Sequence, residues 1–225
     1  MSPAQPRNSK SSSEDVLQYL VNYDVIILMD DSGSMSLFNG SSKSLWDRAM
    51  EVMQKVTEVA MKYDTDGIEI QFLNSNEGRT VKSMEDVRSL FKQVKPSCMT
   101  PLGKRLDEIC GAHLDKLKTS QPPPKRCLII AITDGEPTDA PRVKSTIQRT
   151  ANELHESRTP LTQLGIQFVQ IGNCVAATKF LKELDDEFEK RDIVDTVPYD
   201  GVDLTPEQMV KILVGAINRR VDNEK

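Results

Sequence analysis

The sequence predicts an α/β domain: a three-layer open sheet, mostly parallel with one antiparallel edge strand, and helices on both faces. Three observations carry this expectation. Val25-Ile26-Ile27-Leu28-Met29 and Cys127-Leu128-Ile129-Ile130-Ala131-Ile132 are apolar at every position, as strands buried on both faces of a parallel sheet are. Several other segments place apolar residues at i, i+3, i+4 and i+7, the stripe of a helix lying on a sheet. Strand-like and helix-like segments alternate, about six of each, and that order specifies parallel strands joined by covering helices.

Residues 1–12 are polar and Ser-rich and read as a disordered tail, leaving 13–225 as one domain. Ser13 with Glu14 and Asp15 can start a short helix reaching Tyr19. The first strand spans 24–30. A polar, Gly-containing loop over 36–43 delays the next helix; its Leu37 and Phe38 either contact a ligand or fold back into the core. Ser44 caps a helix whose stripe is Leu45, Ala49, Val52, Met53, Val56, Val59, Ala60 and Tyr63. A second strand over 67–73 and a short return over 79–82 form a hairpin at the sheet edge. Ser83 opens a helix ending before Pro96. Thr100 caps another whose first residue is Pro101, with His113 on its apolar stripe. After the strand at 127–132, the helix at 143–155 is only weakly amphipathic and is expected to be largely exposed. A strand at 164–172, a helix at 176–189 and a short strand at 194–197 follow. Thr205 caps a final helix that buries Met209, Ile212, Leu213, Ala216 and Ile217 and carries Arg219 and Arg220 in its last turns.

The chemistry concentrates where the two apolar runs end. Asp30-Asp31-Ser32-Gly33-Ser34-Met35 follows the first, and Thr133-Asp134-Gly135 the second. The carboxyl ends of strands are where open α/β sheets bind ligands. Asp30, Ser32 and Ser34 offer hard oxygens of mixed charge from one turn, which suits Mg²⁺ or a similar divalent cation. Gly33 is read as the residue that allows the tight turn between the serines. Asp31, pointing away from Asp30, is left to solvent or to a hydrogen bond with a neighbouring loop.

Asp30-x-Ser32-x-Ser34, then Thr100 in Met99-Thr100-Pro101-Leu102-Gly103, then Asp134 at the end of a later strand, resembles a von Willebrand factor type A domain, over roughly residues 20–220. The resemblance implies a metal-ion-dependent adhesion site built from Asp30, Ser32, Ser34, Thr100 and Asp134. It implies Mg²⁺ as the ion, with Mn²⁺ or Ca²⁺ as alternatives, and a protein partner that supplies an Asp or Glu carboxylate. Glu136 and Asp139 either line that face or are simply solvated.

Composition excludes other classes. The net charge of −5 offers no electrostatic reason to bind nucleic acid. No apolar run is long enough to span a membrane. The N-terminus lacks the apolar segment of a secretory signal. Cys98, Cys110, Cys127 and Cys174 lack metal-site spacing, and reduced thiols point to the cytoplasm. Catalysis is the rival function: a Mg-dependent, phosphatase-like hydrolase using the Asp30/Asp134 crevice. Asp30-Asp31 after a buried strand also resembles haloacid-dehalogenase phosphatases, and that resemblance implies a second acid two residues after the nucleophile as general acid/base, where Ser32 stands. No GxSxG elbow is present, and no histidine is expected in the crevice. The expectation is therefore a non-enzymatic module, with a metal-free scaffold as the third reading.

Overall fold

The computed structural model describes residues 16–160, 162–187, 193–199 and 204–218. Six strands form one sheet in the order β3-β2-β1-β4-β5-β6. They are β1 (Tyr23–Met29), β2 (Ile68–Phe72), β3 (Arg79–Val81), β4 (Arg126–Thr133), β5 (Leu164–Ile171) and β6 (Val194–Tyr199). Every pairing is parallel except β2 with β3, so the antiparallel partner lies at the edge. The helices are α1 (Leu45–Ala60), α2 (Met84–Gln93), α3 (Leu102–Thr119), α4 (Ala140–Glu156), α5 (Val175–Glu187) and α6 (Pro206–Val214). This is the von Willebrand type A-like, Rossmann-like arrangement the sequence predicted.

The pleat sorts the apolar run of β1 between two cores. Val25, Ile27 and Met29 join residues of α1, α2 and α6 on one face. Ile26 and Leu28 join residues of α3, α4 and α5 on the other. Successive strand side chains point to opposite faces, so a strand covered on both sides must be apolar throughout. Trp46 of α1, Phe72 of β2 and Phe91 of α2 pack as an aromatic trio with ring centroids 4.9–6.2 Å apart.

Helix starts follow local chemistry. Ser44 accepts from Asp47 N while the Asp47 carboxylate accepts from Ser44 N, a reciprocal cap on α1. Ser83 accepts from Asp86 N at the start of α2. Thr205 and Gln208 cap α6 in the same reciprocal way. Beyond α6 the chain tightens into a 3-10 turn over Gly215–Ile217.

One helix departs from expectation. The segment expected to be weakly amphipathic and largely exposed, α4, buries Val143, Thr146, Ile147, Thr150, Ala151 and Leu154. Threonines complete its buried stripe, so a count of apolar residues alone underrates it. Gly103 lets α3 approach α4: a Cβ there would lie 2.6 Å from Val143 N. The tail at 1–12, the Ser13 helix start, Phe188 and the arginines at 219 and 220 lie outside the described residues.

Candidate metal centre

The strand order reverses between β1 and β4, since the chain leaves β1 for β2 on one side and returns to β4 on the other. That crevice is the switch point where such sheets bind ligands. Asp30 N donates to Ile132 O at 2.9 Å, extending the β1–β4 ladder to the crevice rim. Asp30 Oδ1 accepts from Ser32 N at 2.8 Å and Oδ2 from Thr133 Oγ1 at 2.6 Å. Ser32 Oγ and Ser34 Oγ lie 3.0 Å apart, and Ser34 Oγ donates to Asp134 Oδ1 at 3.0 Å. Four of the five expected residues are thus joined by hydrogen bonds within one cluster, buried except for a half-buried Ser34.

Thr100 is buried on the adjoining loop. Gly33 N donates to Cys98 O at 3.1 Å, and Thr138 N donates to Thr100 O at 3.0 Å. The Thr100 segment is therefore tied both to the serine turn and to the segment after Asp134. Thr100 does not cap α3, contrary to expectation. The helix starts at Leu102, and Asp139 caps it, its carboxylate accepting from Gly103 N at 2.9 Å and Lys104 N at 2.8 Å. Asp139 is thereby an acceptor for a helix start and not simply solvated. Glu136 is exposed. The reading of Gly33 is also corrected. Its backbone is not left-handed, and a Cβ would meet Cys98 O at an ordinary 3.5 Å.

Asp31 is buried and its carboxylate anchors the loop after β2. Oδ1 accepts from Asn74 N at 2.8 Å and Asn74 Nδ2 at 3.2 Å, and Oδ2 accepts from Ser75 N at 2.9 Å. Asn74 Nδ2 also donates to Met99 O at 2.9 Å. Asn74 and Thr133 are site-building residues that sequence reasoning missed. Thr133 carried a weak signal, being a hydroxyl closing an otherwise apolar strand; Asn74 carried none.

Burial raises the pKa of both crevice carboxyls, Asp30 and Asp134. For Asp30 the Thr133 and Ser32 hydrogen bonds pull the other way. Asp134 is pushed up to about 6 by burial and then by the Asp30 charge, against the Ser34 hydrogen bond. The charges acting on them, Asp31 on Asp30 and Asp30 on Asp134, are themselves negative. The donor set fits a small divalent cation. In octahedral Mg²⁺ geometry, adjacent oxygens sit about 2.9 Å apart, close to the two 3.0 Å spacings along Ser32, Ser34 and Asp134.

Neither histidine is at this end of the strands. His113 lies on α3 beside Gln163, which precedes β5, with Nε2 3.4 Å from Gln163 Nε2. Burial lowers its pKa to about 4. His155 is exposed near the end of α4. A second acidic group, Asp24, Asp64 and Asp66, gathers at the opposite end of the strands. Lys125 Nζ lies 2.6 Å from Asp66, 3.5 Å from Asp64 and 3.8 Å from Asp24. An ammonium already serves that cluster, and Asp64 also accepts from Val25 N at 3.1 Å. It is a tie at the start of β1 and β4.

Among solved structures, the chain is similar to the manganese-loaded TRAP protein of Plasmodium vivax. The TM-score is 0.55 at 17% identity, over 88% of this chain and 74% of that one. This likeness shows the fold. Weaker matches are the pilus adhesin RrgA of Streptococcus pneumoniae and the RO (RSR) protein of Deinococcus radiodurans. RrgA gives a TM-score of 0.34 at 16% identity, over 52% of this chain and 20% of that one. The RO (RSR) protein gives 0.49 at 12%, over 88% and 35%. No family model and no curated protein sequence matches the chain.

Proposed function

We propose that the chain is a metal-dependent protein-interaction module. Ser32, Ser34 and Thr100 supply hydroxyls to a divalent cation, and Asp30 and Asp134 supply its charge, directly or through water. The observation that carries this reading is the row of oxygens from Ser32 through Ser34 to Asp134, spaced as one octahedral edge after another. Mg²⁺ is the proposed ion, with Mn²⁺ or Ca²⁺ as alternatives, and the manganese in the TRAP structure supports a divalent ion in this fold. A partner Asp or Glu carboxylate completes the coordination, since two carboxylates and three neutral hydroxyls leave a divalent ion free to take another anion.

Exposed apolar side chains support a protein partner. Leu37 and Phe38, which follow the serine turn, are 55% and 57% exposed, and Met99 beside Thr100 is 64% exposed. The fold-back of Leu37 and Phe38 into the core is not what occurs. Among the described residues no helix is long and apolar enough to cross a membrane. The four free thiols support a reducing, cytoplasmic setting.

The test is calorimetric titration of chelator-treated protein with Mg²⁺ and then Mn²⁺. One saturable site, lost in the Ser32→Ala, Ser34→Ala double variant, is expected. Folded protein that binds neither ion at millimolar concentration overturns the reading in favour of a metal-free scaffold.

A further inference from the structure

Arg48 has no role in the metal centre, and its surroundings set it apart. It lies one turn into α1 and is only 6% exposed. Neither Nε nor Nη2 has a hydrogen-bond partner. The guanidinium carbon stands 5.9 Å from the centre of the Tyr199 ring, a contact that attracts the charge without using those N–H groups. A buried cation with an unpaired edge is costly in a folded protein. Nε and Nη2 form one edge of the planar fork, the edge that takes two oxygens of an oxyanion side by side.

Arg48 lines a cleft of about 390 Å³ between residues 39–43 and the end of β5. Asn39, Ser41, Ser42, Lys43 and Asn173 add amides, hydroxyls and an ammonium. Among the described residues Glu51 is the only carboxylate in the lining, and Lys43 pairs with it. Two cations against one carboxylate make the described lining locally positive in a chain of net charge −5. None of the five metal-centre residues lines it.

We propose that this cleft binds the phosphate group of a small molecule, with the Nε–Nη2 edge of Arg48 as its bidentate anchor. The lining presents more donors than a carboxylate can use, whereas a tetrahedral phosphate has three oxygens to satisfy. The volume exceeds what a bare ion needs and lies in the range of small-ligand sites. Both nitrogens are closed off from solvent, so a phosphate reaches them only once the wall of the cleft shifts.

The test titrates the full chain with inorganic phosphate, glycerol 3-phosphate and acetate, in EDTA so that a metal-bound phosphate cannot contribute. Saturable binding of both phosphates to one site is expected, tighter for the phosphomonoester, with no binding of acetate. Arg48→Lys, which keeps the charge and loses the fork, should weaken binding roughly tenfold or more. Should Arg48 variants not fold, Lys43→Gln on the exposed loop should still weaken it. No saturable binding of either phosphate at about ten millimolar, or binding unchanged in Arg48→Lys and Lys43→Gln, overturns the proposal. Acetate competing as well as phosphate would also overturn it, reassigning the cleft to carboxylates.

Discussion

Ser34 Oγ donates to Asp134 Oδ1 at 3.0 Å, across 100 residues of chain. The bond joins the turn after β1 to the end of β4, and it holds Asp134 facing the Asp30 carboxylate. Asp134 is pushed up to about 6 from an ordinary 3.8. Between those values the metal-free folded state binds more protons than the unfolded state. Its stability should therefore fall as pH rises from about 4 to about 6, by up to ~3 kcal/mol, and flatten above. The raised Asp30 carboxyl acts in the same direction. Urea unfolding in EDTA across this range checks it, and Asp134→Asn should flatten the slope. Saturating Mg²⁺ should reverse the trend, because the ion requires the deprotonated carboxylate.

Thr100 and Asp139 sit at the same helix start and should separate cleanly. Thr100→Ala should weaken Mg²⁺ binding about tenfold, or ~1.4 kcal/mol, with little change of melting temperature in EDTA, since its hydroxyl is not the cap.

Asp139→Ala should do the opposite. It leaves Gly103 N and Lys104 N without their acceptor, and loss of such a cap costs about 0.5–2 kcal/mol. Metal affinity should hold within about twofold, or ~0.4 kcal/mol. A large loss of metal binding would put Asp139 in the metal shell after all.

Asp31→Ala removes a carboxylate that accepts from Asn74 N, Asn74 Nδ2 and Ser75 N. Two backbone N–H groups then lose their partner beneath the loop, at about 1–3 kcal/mol each where they stay buried. Denaturant unfolding should show that loss even in EDTA, which distinguishes an anchor from a ligand.

Gly103→Ala places a methyl group 2.6 Å from Val143 N and 2.9 Å from the Arg142 carbonyl carbon. The obstacle is backbone, so α3 and α4 must part. Overpacking of this kind costs about 1–3 kcal/mol, and a lowered denaturation midpoint with unchanged urea dependence checks it.

The fold was legible because β1 and β4 must be apolar on both faces, a pattern no loop or exposed strand reproduces. Ser44, Ser83 and Thr205 announced their helices because capping is decided within four residues of chain. The burial of α4 was misread because Thr146 and Thr150 sit in its packed stripe, and only the neighbouring α3 makes those positions interior.

The sequence by itself determined the alternation of strands and helices, the polar turns that end β1 and β4, and the five oxygen-bearing residues of the candidate site. The alternation and the polar turns follow from local periodicity and residue type; the five residues are a set only through the resemblance to the von Willebrand type A family. Tertiary structure alone decided which polar groups meet, because Ser34 and Asp134, Asp31 and Asn74, and Gly103 and Asp139 are brought together only by the order of strands in the sheet. It also decided that Arg48 is buried without a partner for one edge of its guanidinium. Burial and hydrogen-bond satisfaction are properties of packed neighbours, and local sequence does not contain them.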